Sequence, residues 1–281
     1  MDNKAGKLYI VGTPLGNLGD FSPRGAQALR DADFIAAEDT RVSIKLLNHF
    51  GIKKPMVSYH EHNVHARGEL IVERVLNGES CAVITDAGMP CISDPGEDLV
   101  RACAAHGIET VVVPGPSALI AALAASGLAA GRFAFEGFLS VKKGSRFAHL
   151  ESVKNDPRTL VFYEAPHKLR ATLADMLGVF GDRPVALARE LTKIHEEIIR
   201  TTLTGAISLY KDKDPRGEYV LVVSGASEAA PRDSFTFDEA VDIARSLADD
   251  GMPLSSAAKE SARMTGYKKG DIYREVSKDR G

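Results

Sequence analysis

Four polar clusters stand directly after apolar runs, where a strand would deliver side chains to the edge of a sheet. Glu38-Asp39-Thr40-Arg41 follows FIAA, His60-Glu61-His62-Asn63 follows MVSY, Glu164 and His167 follow TLVFY, and Arg189, Glu190 and Lys193 follow PVALA. Carboxylates, imidazoles and cations in such positions accept, donate or polarise protons. Glu38, Asp39, Arg41, His60, His62, Glu164, His167, Glu190 and Lys193 are therefore candidates for acid–base work, and the residue types do not choose among them. Asp39 or Thr40 equally suits the N-cap of a following helix. Two histidines without an HExxH pattern are too few for a metal site, so no metal is expected.

Three further loops are built from small residues and prolines. Gly12-Thr13-Pro14-Leu15-Gly16-Asn17-Leu18-Gly19 contains neither GxGxxG nor GxxxxGK[ST], which argues against a nicotinamide dehydrogenase or a P-loop enzyme. Pro14 also removes an amide that a phosphate cradle would use. Thr85 to Gly96, TDAGMPCISDPG, lets backbone approach a ligand while prolines hold it rigid. Asp86 there can accept from an amino group or a ribose hydroxyl. Asp94, before Pro95, is expected to cap the next helix, with a ligand contact as its alternative. Val113-Pro114-Gly115-Pro116-Ser117-Ala118 places Ser117 outside any GxSxG context, so it caps its helix or meets a ligand rather than acting as a nucleophile. Loops after successive strands of an α/β sheet gather where such sheets bind ligands. These offer no phosphate nest, which favours a non-phosphorylated ligand with a nucleoside part.

The elements that must position these groups are read from apolar periodicity. Strands are expected at 7–12, 34–38, 56–60, 82–85 and 110–113. Between and after them come helices at 23–32, 40–50, 66–76, 96–105 and 117–125. Ser22 and Pro23 form a helix start, and alternation of the two element types argues for a parallel sheet. Small residues at 126–131 mark a boundary. Beyond it, strands are expected at 133–138, 159–163, 184–189, 197–203 and 219–223, with helices at 146–153, 167–177 and 206–210. Ala229-Ala230-Pro231-Arg232 reads as a linker before three short helices at 237–248, 253–264 and 269–276. The expected division is 1–126, an N-terminal α/β domain; 127–228, a C-terminal α/β domain; and 229–281, a small helical tail.

A length of 281 residues, 44% hydrophobic and 26% charged, is that of an ordinary folded chain. Cys81, Cys91 and Cys103 have no disulfide or zinc spacing, which suits a reducing, cytoplasmic setting. No signal-like or membrane-spanning run is present. The net charge of −3 excludes a uniformly basic nucleic-acid binder but hides a pattern. Residues 139–170 hold seven Lys or Arg against three acids, and 253–281 seven against four, so the remainder carries −10. Lys142, Lys143 and Arg146 in the first segment, and Lys268 and Lys269 in the second, are candidates for RNA phosphate contacts. Ordinary solvated helix faces, and a helical cap formed by the tail, are the alternatives.

Taken in order, VGTPLGNLGD, AAEDTR, SYHEHN, ITDAGMPCISDPG, VVPGPSA, FEGFL, FYEAPHKL, ARELTKIHEE and RGEYVLVV resemble the tetrapyrrole-methylase superfamily. Within it they are similar to the small-subunit ribosomal RNA 2'-O-ribose methyltransferases that modify a decoding-centre cytidine. The resemblance spans about residues 7–225. It implies a tetrapyrrole methylase-like, class III methyltransferase fold, with two α/β domains clasping S-adenosylmethionine in a cleft. It further implies a homodimer, no metal, and 16S ribosomal RNA or the small ribosomal subunit as partner. Pro14, Leu15, Asp86, Ala87, Gly88, Ile92, Ser117 and Ala118 would contact the cofactor from one domain. Tyr163, Glu164, Ala188, Tyr219 and Val220 would do so from the other. The candidates for the chemistry remain those read from the strand-end clusters, Asp39, Arg41, His60, Glu164, Glu190 and Lys193, with the base unassigned. Thr13 stands where the wider superfamily has glycine, which turns the reading away from a tetrapyrrole or other small-molecule acceptor. A non-catalytic ribosome-assembly factor is the remaining alternative, and the intact set of loops weighs against it.

Overall fold

The computed structural model describes residues 5–226 and 235–278, so the linker expected at 229–232 lies outside the described residues. The described residues fall into two compact units, the first within 1–225 and the second within 226–281.

The first unit contains two five-stranded sheets. In the first sheet, β1 (Lys7–Val11), β2 (Phe34–Ala37), β3 (Met56–Ser58), β4 (Cys81–Ile84) and β5 (Glu109–Val113) run in the order β3-β2-β4-β1-β5. Every pairing is parallel, as alternation predicts. Crossovers are made by α1 (Pro23–Asp31), α2 (Thr40–His49), α3 (Val64–Leu76) and α4 (Glu97–Ala105). Leu8, Ile10, Phe34, Ala36, Cys81 and Val83 pack on one face, while Val11, Ile35, Ala37, Ala82 and Ile84 pack on the other. Such double burial explains why these strands read as continuous apolar runs rather than alternating ones. Ser22 accepts from the Gly25 amide at 2.9 Å and Pro23 opens α1, as its sequence requires.

The second sheet is mixed. It comprises β6 (Phe133–Phe138), β7 (Thr159–Glu164), β8 (Pro184–Arg189), β9 (Glu197–Thr202) and β10 (Tyr219–Val223) in the order β6-β7-β10-β8-β9. Only β6 and β7 are parallel; β10 runs antiparallel to both β7 and β8, and β8 to β9. Leu160, Phe162, Leu187 and Leu221 face α6 (Lys143–Val153), α7 (Leu169–Phe180) and α8 (Leu203–Leu209). The opposite face, Val161, Ala186, Ala188, Val220 and Val222, is covered by Leu119, Ala122 and Leu123 of α5 (Ala118–Ser126). This helix precedes the expected boundary at 126, yet its apolar residues belong to the second sheet's core.

The second unit contains α9 (Phe237–Asp249), α10 (Leu254–Thr265) and α11 (Lys269–Lys278) around Ala240, Val241, Ala244, Ala258, Ile272 and Val276. Thr236 and Glu239 close a capping box at its first helix, and the Ser261 hydroxyl donates to the Ala240 carbonyl at 2.6 Å inside the core. Among the described residues no helix is long and apolar enough to cross a membrane.

Candidate functional site

Parallel pairing brings the loops after β4, β1 and β5 together, because those strands are neighbours and all end at one sheet edge. Their backbones touch. Thr13 and Gly88 exchange amide–carbonyl bonds at 2.8 and 3.1 Å, and the Thr13 hydroxyl donates to the Thr85 carbonyl at 3.0 Å. Gly12 and Gly115 lie so close that a Cβ on Gly115 would stand 2.8 Å from the Gly12 Cα. The small residues of the three loops are thus a packing requirement, which is their second use beside ligand approach.

The second sheet reaches the same place by another route. Because β10 is antiparallel to β7 and β8, its first residue lies beside their last ones: Tyr219 pairs with Glu164 and with Arg189. This gathers the residues after TLVFY, those after PVALA and those around Glu218 at one edge. Between the two edges lies a cavity of about 540 Å³, within the range of small-molecule sites. Leu15, Asp86, Ala87, Gly88, Ile92, Ser117 and Ala118 line it from one side. Tyr163, Glu164, Ala188, Tyr219 and Val220 line it from the other, together with Glu190 and Lys193. Pro14 is buried and is not part of the wall.

Several candidates have other employment. Asp39 caps α2, accepting from the Arg41 amide at 2.8 Å, and clamps the Arg41 guanidinium at 2.6 Å. The Arg41 hydrogen bonds hold the Asp39 carboxyl down at about 2, and neither residue lines the cavity. His60 also lies outside the wall; its amide donates to Asn63 Oδ1 at 2.9 Å. Glu164 does reach the cavity but is 2% exposed, and both carboxylate oxygens are engaged, one by the Ala165 amide at 2.8 Å and the other by the Thr172 hydroxyl. It organises the turn into α7 rather than standing free as a base.

Asp94 departs from expectation in the other direction. The N-cap of α4 is Gly96, at φ 140° and without any side-chain cap bond, so Asp94 is not the cap. Its carboxyl lines the cavity with Glu38 and Asp86. The latter two are tied through the main chain: the Asp86 amide donates to Glu38 Oε2, and the Asp39 amide to Asp86 Oδ1, both at 3.3 Å. Burial first, then the charges of Glu38 and Asp86, raise the Asp94 carboxyl to about 7. Burial likewise pushes Glu38 and Asp86 upward. Ser117 occupies the N-cap position of α5 without making a cap bond, which leaves its hydroxyl for a ligand.

Across the cavity, Lys193 Nζ bridges Glu190 at 3.1 Å and Glu218 at 3.2 Å, and its stem packs on Gly16. Burial raises the Glu190 carboxyl, but the Glu218 amide and Lys193 outweigh it and leave the group below its ordinary value. Among the described residues four non-glycine residues hold left-handed backbone: Cys91, Ser93, Glu190 and Thr192. All four belong to the two loops bordering the cavity, one on each side, and such strain concentrates at functional sites. Sequence reasoning missed Met89, Ser93, Glu218 and Phe138 as wall residues; Glu218 reaches the wall only because β10 runs antiparallel to its neighbours.

Arg146 is also reassigned. Its side chain is 12% exposed, pairs with Asp175 at 2.6 Å and donates to the Ser140 and Val141 carbonyls, so it braces the 140–146 loop and is not presented to a phosphate. Lys142, Lys143, Lys268 and Lys269 are exposed, and no ion pair among the described residues holds them. Among the described residues no group of three or more His, Cys, Asp or Glu side chains is arranged to hold a metal ion.

Residues 7–206 match the family model described as tetrapyrrole (corrin/porphyrin) methylases. The chain is 46% identical over 269 residues to ribosomal RNA small subunit methyltransferase I of Synechocystis sp., covering 95% of this chain and 96% of that one. A crystal structure of diphthine synthase superposes with a TM-score of 0.60 at 17% identity, over 78% of this chain and 89% of its own. The uroporphyrin-III C-methyl transferase of Thermus thermophilus, complexed with S-adenosylhomocysteine, gives 0.55 at 20% identity, over 77% and 97%.

Proposed function

The chain belongs to the tetrapyrrole (corrin/porphyrin) methylase family, and from that premise we propose that it transfers a methyl group from S-adenosylmethionine to ribosomal RNA. The acceptor in this reading is the ribose 2'-hydroxyl of a cytidine in the decoding centre of 16S RNA, and the enzyme acts in the cytoplasm as a homodimer. The observation that carries the reading is the cavity itself. One wall is acidic, with Glu38, Asp86 and Asp94, and apolar patches are supplied by Leu15, Ile92, Ala188 and Val220. That combination fits a cationic donor with a nucleoside part. The name of the Synechocystis relative supports the RNA acceptor.

When bound, the donor supplies a methyl group on a sulfonium, a group that needs no metal to become electrophilic. The chain must align the reactants and remove a proton. The backbone-packed loops around Gly12, Gly88 and Gly115 fix one side, and Ser117 offers a free hydroxyl there. Alignment of donor and acceptor at about 3–3.5 Å supplies much of the rate. As the oxygen–methyl bond forms and the sulfur–methyl bond breaks, the hydroxyl proton must leave. Asp94, held at about 7 on the cavity wall, is the group best tuned to take it. Glu190, paired to Lys193, is held as a carboxylate and positions that cation at the rim. Lys142, Lys143, Lys268 and Lys269 are assigned to RNA phosphates.

Mass spectrometry of 16S RNA from a deletion strain tests this reading. A ribose methyl should be missing from one decoding-centre cytidine and return with the gene; an unchanged methylation pattern would remove the proposal.

A further inference from the structure

The strand β6 contains an irregularity at the point where it meets the cavity. Its pairing with β7 is regular from Phe133↔Thr159 to Phe135↔Val161, then slips by one residue, so that Gly137 faces Phe162 and Phe138 faces Tyr163. A slip of one residue turns every later side chain to the other face of a sheet. Without it, Phe138 would share the face of Ala134, which packs in the core under α6 and α7. With it, Phe138 joins Phe135 and Tyr163 on the opposite face, the one α5 covers, where both phenyl rings meet Tyr163 edge-on with centroids at 4.9 and 5.4 Å, and Phe138 and Tyr163 line the cavity. Gly137, at φ 64°, is the joint that permits the change.

Tyr163 is held in place, its hydroxyl accepting from the Leu119 amide at 3.2 Å. Phe138 rests on that fixed ring and lines the cavity, yet 55% of it is exposed. The chain therefore bends a strand to turn out an aromatic ring that an unbroken register would have buried. The loop beyond the ring is basic. Lys142 and Lys143 are exposed at the start of α6, and Arg146, locked to Asp175, braces the loop between them and the ring. An open aromatic face next to cations on a rigid loop is the arrangement with which proteins hold unpaired RNA, bases stacking on the ring and phosphates meeting the charges.

We propose that Phe138 is the stacking surface for a nucleobase of the acceptor strand, presenting the adjoining ribose to the methyl donor. The inference rests on the reading of the cavity as an RNA methyl-transfer site and names its acceptor side. Its place on β6, an edge strand of the second sheet, supports the assignment. The apolar residues expected around the donor, Leu15, Ala118, Ala188 and Val220, come from the first sheet's loops and from the central strands instead.

The test uses the full chain, small ribosomal subunits from the deletion strain, and calorimetry with S-adenosylmethionine. Phe138→Ala and Phe138→Leu should raise KM for the subunit by roughly 5- to 150-fold, the range of base–aromatic stacking. Both should leave donor affinity within about twofold, and Phe138→Trp should stay near wild type. The leucine variant keeps apolar volume, so it separates lost stacking from lost packing. An unchanged KM in Phe138→Leu would overturn the proposal while leaving the RNA-methylation reading intact. So would a rise in donor Kd equal to the rise in KM, because the ring would then serve the donor's adenine. Wild-type protein that binds the donor but leaves subunits unmethylated would overturn both.

Discussion

The two sheets build one cavity by opposite means. The first stands on packed backbone: three loops after parallel neighbours, packed glycine on glycine and joined by the Thr13–Gly88 bonds, carry wall residues such as Asp86 and Asp94. The second contributes side chains, Tyr163, Glu190, Lys193 and Tyr219, brought together because an antiparallel strand starts where its neighbours stop. A backbone-built wall tolerates little change of shape. A side-chain wall is held by individual contacts, each removable by itself. The chemistry proposed here combines them: a rigid seat for the donor meets a wall of individually held side chains, Ala188 and Val220 beside the donor and Phe138 toward the acceptor.

Asp94 offers the strongest way to break that division, since it places a side chain with a chemical role on the backbone-built wall. As a base it must be ionised, so kcat/KM should fall about tenfold per pH unit below about 7 and level off above it. Asp94→Asn should lower the rate by about 10²–10⁴-fold and abolish that limb. The same group has a stability signature of definite sign. Its folded pKa lies above the ordinary 3.8, so its contribution is fully present below that value and is lost as pH rises through about 7. The asparagine variant should therefore gain thermal stability at pH 8 and little at pH 3.5, checked by calorimetric melting. A wild-type profile flat across pH 6–8 would remove Asp94 from the role.

The donor seat itself is tested at Gly115. A Cβ there would stand 2.8–2.9 Å from three Gly12 backbone atoms, and neither main chain can give way cheaply. Overpacking of this kind costs about 1–3 kcal/mol. Gly115→Val should weaken S-adenosylmethionine binding by about 10- to 100-fold in calorimetry, while Lys193→Met across the cavity should change it far less. Equal effects from the two substitutions would erase the distinction between the walls.

The same contrast governs how much was legible in the sequence. In a parallel sheet every functional loop leaves from the same edge, so apolar runs and the loops after them identified both the first sheet and its half of the cavity. The second half was harder. Antiparallel pairing puts Glu218, before a strand, beside Glu164 and Arg189, at the ends of two others, and strand direction is not written in composition. Residue type left the two aspartates open, and sheet order displaced a histidine. Aspartate caps helices and lines cavities equally well, so Asp39 proved the cap and Asp94 did not. His60 comes after a strand at the far edge of the first sheet, away from the cavity, because spatial order β3-β2-β4-β1-β5 differs from chain order. Phe138 was hidden by a slip in register that no periodicity announces.

The basic loop gives the finest comparison, because two kinds of cation stand within five residues. Arg146 is 12% exposed and its partner Asp175 equally so, while Lys142 and Lys143 are open to solvent. Removing Arg146 leaves a largely buried carboxylate unpaired and frees the 140–146 loop. At about 2 kcal/mol, below the range for fully buried pairs, Arg146→Met should lower Tm by roughly 4–8 °C. The Lys142→Ala, Lys143→Ala double variant should melt like wild type, since neither lysine is held in an ion pair among the described residues. Its effect belongs to binding: two lost phosphate contacts should flatten the slope of log affinity against log salt by roughly 1.4, taking about 0.7 per contact for single strands. Filter binding of small subunits across a salt series, beside melting curves, reads both. A double-lysine variant with an unaltered slope would mean that this positive segment is ordinary surface, and the acceptor side would then rest on Phe138 and on the lysines of the helical tail.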